Sequence, residues 1–201
     1  MKKILLFFYI IHLCCLTSNA ETTTLQASAT FNWDTISQEE RIENISQIKS
    51  SIFGDSEKTK KLDNFKELYK DFLKDKNYKK HYLVASSGYK EYKNFNIAAM
   101  YYKKMSTLYM YALQPKDNLT TIYYYDTLGN LRYVDNLKGN YPDFPYYTEQ
   151  YRRSGKLVGI SYFVSKDTQY IFKPNGEFKG VWHKEKFFDL DGKIKMQRSN
   201  Y

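Results

Sequence analysis

From Ile97 to the C-terminus, short aromatic and β-branched runs are separated by turn residues built around glycine. That punctuation constrains the fold more than any other feature of the chain. Leu108-Tyr109-Met110-Tyr111-Ala112-Leu113 alternates in size and polarity, as a strand does. Thr121 to Tyr125, Leu157 to Val164, Thr168 to Phe172, Phe178 to Trp182 and Lys193 to Met196 read the same way. Between them stand Tyr125-Asp126-Thr127-Leu128-Gly129-Asn130-Leu131 and Arg153-Ser154-Gly155-Lys156-Leu157. Pro174-Asn175-Gly176-Glu177-Phe178 and Asp189-Leu190-Asp191-Gly192-Lys193-Ile194 continue the pattern. Gly129, Gly155, Gly176 and Gly192 supply a positive φ, Asn or Asp neighbours tolerate one, and an apolar residue two positions on restarts a strand.

The stretch from Tyr123 to Ile194 resembles the Tyr-x-x-x-Gly-Lys-Leu β-hairpin repeats of the MORN-like family, which includes proteins labelled antitoxin components. The glycines here are 26, 21 and 16 residues apart, whereas true repeats keep one period. The resemblance implies a β-meander whose strands pair in sequence order and serve as a binding or scaffolding surface. It carries over no catalytic residue.

Two helices are expected ahead of the meander. The first begins at Ser37-Gln38-Glu39-Glu40, where Ser37 and Glu40 can form a capping box. Ile42, Ile45, Ile48, Ile52 and Phe53 then fall on one face, with Gly54 as the stop. The second is expected from Ser56 to Asp75, with an apolar stripe of Leu62, Phe65, Leu68, Tyr69, Phe72 and Leu73. Asp63, Glu67, Asp71 and Asp75 make one row beside Lys66, Lys70 and Lys74, which reads as a solvated outer face. Asn77 to Asn94 has little period and reads as a connection. The fold class is therefore α+β: two N-terminal amphipathic helices followed by a mainly antiparallel β-meander of about eight strands. An all-β barrel with a helical cap is the alternative topology.

The first twenty residues look like an export signal. Lys2 and Lys3 precede the apolar run Ile4 to Leu16, and Ser18-Asn19-Ala20 offers a cleavage site before Glu21. The run is too short for a spanning helix of ~20 apolar residues. The expected organisation is a signal at 1–20, a polar leader at 21–34, a helical region and connection at 35–94, and the meander at 95–201. Cys14 and Cys15 lie in the signal, so the mature chain has no disulfide. His12 and Leu13 before Cys14 argue against a lipoprotein anchor. Cleavage removes two lysines and lowers the formal charge from +9 to +7. That excess suits a protein or envelope polymer, an anionic glycan included, or simply keeps the surface soluble. Nucleic acid is a poor partner for an exported chain with no recognition motif. The product is expected in the periplasm or outside the cell, with no transmembrane helix.

Chemistry is thinly signalled. His81 and His183 belong to no metal-ligand spacing, and no cofactor or metal is expected. His81 lies near Ser86 and Ser87, but the nucleophile elbow of a serine hydrolase is missing. Asp189-Leu190-Asp191-Gly192 hints at a calcium loop, yet Arg198 stands where an EF-hand needs glutamate. A glycosidase-like pair would have to come from Asp126, Asp135, Asp143, Glu149 and Glu177. The segment Asn140 to Tyr147 packs Pro142 and Pro145 among aromatics and should be a stiff excursion between hairpins. Tyr141, Phe144, Tyr146, Tyr147 and Tyr151 are the candidate ligand-binding residues, able to present ring faces to a sugar or peptide, or to plug the sheet end. In Tyr101-Tyr102 and Tyr123-Tyr124-Tyr125, adjacent rings point to opposite faces, so one of each group is available to water. The functional expectation is a non-enzymatic exported binding protein. A carbohydrate- or peptidoglycan-binding module and a small hydrolase are the alternatives.

Overall fold

The computed structural model describes residues 31–53, 61–101 and 107–197. The expected signal, the leader up to residue 30, the helix stop at Gly54, the helix start at Ser56, and Tyr102 lie outside the described residues. The described chain forms three helices, α1 (Gln38–Phe53), α2 (Phe65–Leu68) and α3 (Tyr78–Ser86). Four strands come next: β1 (Glu91–Tyr92), β2 (Phe95–Tyr101), β3 (Leu108–Pro115) and β4 (Thr121–Asp126). They are followed by β5 (Leu131–Gly139), β6 (Tyr146–Arg152), β7 (Leu157–Ser165) and β8 (Thr168–Phe172). The last three are β9 (Phe178–His183), β10 (Lys186–Phe188) and β11 (Ile194–Gln197). The antiparallel meander is as expected, but with eleven strands rather than about eight, and with three helices rather than two.

The chain divides into two compact units. The first holds residues 71–132, with α3 and β1 to β4, whose strands pair antiparallel in chain order. The second holds the described residues up to 70 and from 133 onward, with α1, α2 and the strands from β5 to β11, again paired in chain order.

α1 begins as its residues require. The Glu40 amide donates to Ser37 Oγ at 3.2 Å and the Ser37 amide to Glu40 Oε2 at 2.8 Å. Its inner face differs from the isoleucine stripe. Ile45 and Ile52 are buried, Ile42 is exposed, and Arg41 takes a core position instead. The guanidinium can be there because it donates to three carbonyls: Trp33 O and Ile36 O at 2.6 Å each, and Leu190 O at 3.4 Å.

The second expected helix is broken. Among the described residues of that stretch only α2 and a 3₁₀ turn at Lys70–Phe72 are helical, and α3 falls in the supposed connection. The cause is tertiary. The Leu62 amide donates to Gly155 O and the Asp75 amide to Gly129 O, both at 2.8 Å, while Leu73 O accepts from the Leu131 amide at 3.1 Å. Backbone groups committed to distant turns cannot also complete a helical ladder, so propensity is overridden.

Those turns are alike. In each, the glycine amide donates to the carbonyl three residues back: Gly129 to Asp126, Gly155 to Arg152, Gly176 to Lys173 and Gly192 to Asp189. The residue at the start of each turn donates its own amide to the carbonyl four residues on. With φ between +76° and +80°, each is a type I turn closed by a glycine bulge. Each also lies against the helical part of its own unit. In the second unit Gly192 meets Arg41 and Trp33, Gly176 meets Lys49 and Phe53, and Gly155 meets Leu62 and Phe65. In the first unit Gly129 meets Asp75 and Tyr78.

Candidate functional site

Strand register sorts the second unit's side chains onto two faces. Tyr147 of β6 is opposite Lys138 of β5 and Tyr162 of β7, and Tyr162 is opposite Tyr170 of β8. Glu149 is opposite Asn136 and Ile160, and Ile160 is opposite Phe172. This is the helix face. Trp33 meets Tyr170 edge-on at 5.5 Å and Phe53 meets Phe172 at 6.1 Å. Burial alone pushes the Tyr170 hydroxyl up to about 12, so it stays protonated. Tyr146, one residue away from Tyr147, is opposite Gly139 and Phe163 and lies on the other face.

The five candidate aromatics therefore do not form one surface. Tyr141, Phe144 and Tyr146 do come together. Tyr146 stacks on Phe144 at 5.4 Å and on Phe163 at 4.7 Å, and it meets Tyr141 edge-on at 5.0 Å. Tyr146 is buried by these neighbours, while Tyr141 and Phe144 remain half-buried. Residues 140–145 form a non-strand excursion, as their prolines require, with the Asp143 amide donating to Asn140 O at 2.9 Å. Tyr147 stands on the helix face, half-buried, in a row with exposed Lys138 and half-buried Tyr162.

Tyr151 is buried and occupied. Its hydroxyl donates to Glu149 Oε2 at 3.0 Å, and the Tyr69 hydroxyl donates to Asn136 Oδ1 at 3.0 Å. Burial and the adjacent Glu149 carboxylate raise the Tyr151 hydroxyl above its ordinary value, which keeps it a donor. Burial does the same for Tyr69, against the opposing pull of its bond to Asn136.

In the first unit, the expectation that one of Tyr123, Tyr124 and Tyr125 faces water is not met. All three are buried, because both faces of β4 are covered. Phe72 stacks on Tyr123 at 4.1 Å. Tyr101 is 41% exposed.

The first unit also holds a polar cluster that the sequence did not signal. Asp75, His81 and Tyr111 are all buried. Asp75 Oδ2 accepts from the Tyr111 hydroxyl at 2.5 Å and pairs with His81 Nδ1 at 2.7 Å, while Oδ1 accepts from the Asn77 amide at 2.8 Å. Burial works against the Asp75 carboxylate, but the bonds from His81, Tyr111 and Asn77 outweigh it and hold the carboxyl below its usual range. Burial first, and the Asp75 charge second, push the Tyr111 hydroxyl far up. Tyr92 and Phe95 present ring edges to His81 at 5.7 and 5.5 Å. The cluster pins α3 to β3. Asp75 sits in the same sequence row as Asp63, Glu67 and Asp71, and nothing in the pattern separates the buried acid from the exposed ones.

The hydrolase reading needs converging carboxylates. Asp135 is opposite Gln150 and Glu149 is opposite Asn136, so these two acids point to opposite faces. Asp143 lies exposed in the loop after β5, and Glu177 pairs with Lys173 on the Gly176 turn. Asp126, in the first unit, is bound by the Leu128 and Asn130 amides at 3.0 and 2.9 Å. Asp189 of the supposed calcium loop accepts from the Lys193 amide at 2.8 Å and pairs with Lys195 at 2.9 Å, as a turn-former does. Among the described residues no group of three or more His, Cys, Asp or Glu is placed to hold a metal, and no helix is long and apolar enough to cross a membrane. No family model, curated protein or solved structure matches this chain.

Proposed function

We propose that this is an exported, non-enzymatic binding protein whose meander meets a protein or an envelope polymer through aromatic rings. The observation that carries the reading is the cross-strand row Lys138, Tyr147, Tyr162 on three adjacent strands. Both tyrosines are half-buried and the lysine is exposed. Tyrosine joins a flat apolar face to a polar tip, and a neighbouring ammonium favours an anionic partner such as a charged glycan. Tyr141 and Phe144 add two half-buried rings in the loop after β5.

Co-sedimentation of the mature protein with isolated peptidoglycan tests the glycan form of this reading. The double variant Tyr147→Ala, Tyr162→Ala is expected to lose at least about tenfold in affinity, the size of ~1.4 kcal/mol of lost contact. Tyr141→Ala with Phe144→Ala reports on the loop separately. Binding left intact by both double variants would remove the aromatic surface from the account. Export has its own check: the purified protein should begin at Glu21, and an intact Met1 would overturn that part.

A further inference from the structure

Among the described residues, all four large apolar side chains that the first unit leaves exposed lie along α3. Leu83 is 62% exposed on the outer face of the helix, opposite the buried His81 and Ala85. At the start of α3 stands Leu128, whose carbonyl accepts from the Lys74 ammonium at 2.5 Å and whose neighbour Gly129 lies against Tyr78. At its end the Tyr101 hydroxyl donates to Ser86 O at 3.5 Å, and Tyr89 follows the last turn. Single exposed apolar residues are ordinary, but a set gathered along one helix marks a contact surface.

The charge around these side chains has one sign. Residues 74–93 include Lys74, Lys76, Lys79, Lys80, Lys90 and Lys93, all exposed. The two acids of that stretch are already engaged: Asp75 is buried against His81, and Glu91 pairs with Lys116 at 2.6 Å. Packing also draws like charges together. The ammonium groups of Lys80 in α3 and Lys93 between β1 and β2 lie 5.5 and 5.7 Å from the centre of the same Tyr92 ring. Lys93 takes a φ of +50°, a conformation that favours Gly or Asn, so the hairpin tip keeps a lysine against local preference. Ammonium groups so placed repel one another, and an anionic surface relieves that repulsion.

We propose that α3 and the β1–β2 turn dock the first unit onto an anionic lipid bilayer, with lysines on the phosphate headgroups and Leu83 and Tyr89 at the acyl boundary. A soluble polyanion would engage the lysines alone and leave the apolar side chains among them unexplained. A bilayer engages both, since such docking grows with buried apolar area and with attraction to anionic lipid. The surface belongs to the first unit and stands independently of the Lys138, Tyr147 and Tyr162 row proposed above.

Flotation of the full mature chain with vesicles tests the surface, with circular dichroism to check that each variant is folded. The protein is expected to float with vesicles of phosphatidylcholine and phosphatidylglycerol at low salt, and not with phosphatidylcholine alone. Lys80→Gln with Lys93→Asn should weaken binding at least about tenfold, since each lysine near such a surface contributes about fivefold. Leu83→Ser with Tyr89→Ser keeps the charge and changes only exposed positions, and should weaken binding at least about fivefold. Lys166→Ser with Lys186→Ser removes equal charge from exposed positions of the second unit and should leave binding near the wild-type value. No flotation with the mixed vesicles, or equal flotation of every variant, overturns the surface. A loss caused by the second-unit pair alone overturns its placement. A loss with the lysine pair and none with the Leu83 and Tyr89 pair overturns the bilayer in favour of a soluble polyanion.

Discussion

Tyr111→Phe isolates one hydrogen bond in a buried cluster and has a predictable size. The substitution keeps the ring, which stacks on Tyr125 at 5.6 Å, and removes only the hydroxyl that donates to Asp75. Asp75 keeps its bonds to His81 and to the Asn77 amide, so the loss is one charge-assisted bond of three. Such bonds contribute about 1.5–3 kcal/mol each when an ionised partner is buried. For a chain of this size that is a drop in Tm of about 3–12 °C. The pH dependence gives the sharper test. The folded Asp75 carboxyl lies below its ordinary 3.8, so its stabilisation is fully present above that value. It is lost as pH falls through the lower folded value. Urea denaturation of both proteins between pH 7 and pH 3 should therefore show a gap that is constant near neutrality and closes in acid. The Tyr111 hydroxyl titrates far above this range and contributes nothing to the slope. A gap of the same size at every pH, or none at pH 7, would refute the assignment of Asp75 as a buried anion held by Tyr111.

Three further outcomes follow from the turns and from α1. Gly155→Ala places a methyl against the Leu62 carbonyl at a φ of +80°, and Gly88→Ala meets nothing at a φ of +77°. Both lose about 1 kcal/mol of backbone preference, so calorimetry should show the Gly155 variant less stable by a clear further margin. Arg41→Met keeps much of the stem but leaves the Trp33 and Ile36 carbonyls without their donor, and about 2–5 kcal/mol of stability should go with it in urea titration. Ser37→Ala removes one arm of the capping box and should cost about 1 kcal/mol, read as a shift in the urea midpoint with an unchanged slope.

The parts of the fold legible in the sequence are those decided within a few residues. The capping box at Ser37 and Glu40 is local, and so is each glycine bulge, where three loop residues set the hairpin. What escaped depends on partners far along the chain. Leu62 and Asp75 sit in a stretch with good helical spacing, and only the carbonyls of Gly155 and Gly129 show why the helix does not continue. Arg41 lies beside Ile42 in α1, and three carbonyls reverse which of the two is buried. Asp75 carries no mark that distinguishes it from its exposed neighbours until His81 and Tyr111 close on it. The aromatic candidates were split for a simpler reason. Tyr146 and Tyr147 are adjacent in one strand, and the pleat sends them to opposite faces.

The Trp33 indole donates to the Asp189 carbonyl across 156 residues of chain. Asp189 is synthesised 156 residues after Trp33, so this bond has to wait for all the chain between them. The three glycine turns of the second unit meet the earlier segment in nested order, with Leu62 at Gly155 inside Phe53 at Gly176 inside Arg41 at Gly192. Each inner contact, once made, shortens the loop that the next must close, so closure proceeds like a zipper from the middle outward. A chain cut before Asp189 would keep its inner rungs but leave the Trp33 indole without its carbonyl partner and take one of the three that Arg41 uses, which makes the hairpin of β10 and β11 the latch of the second unit.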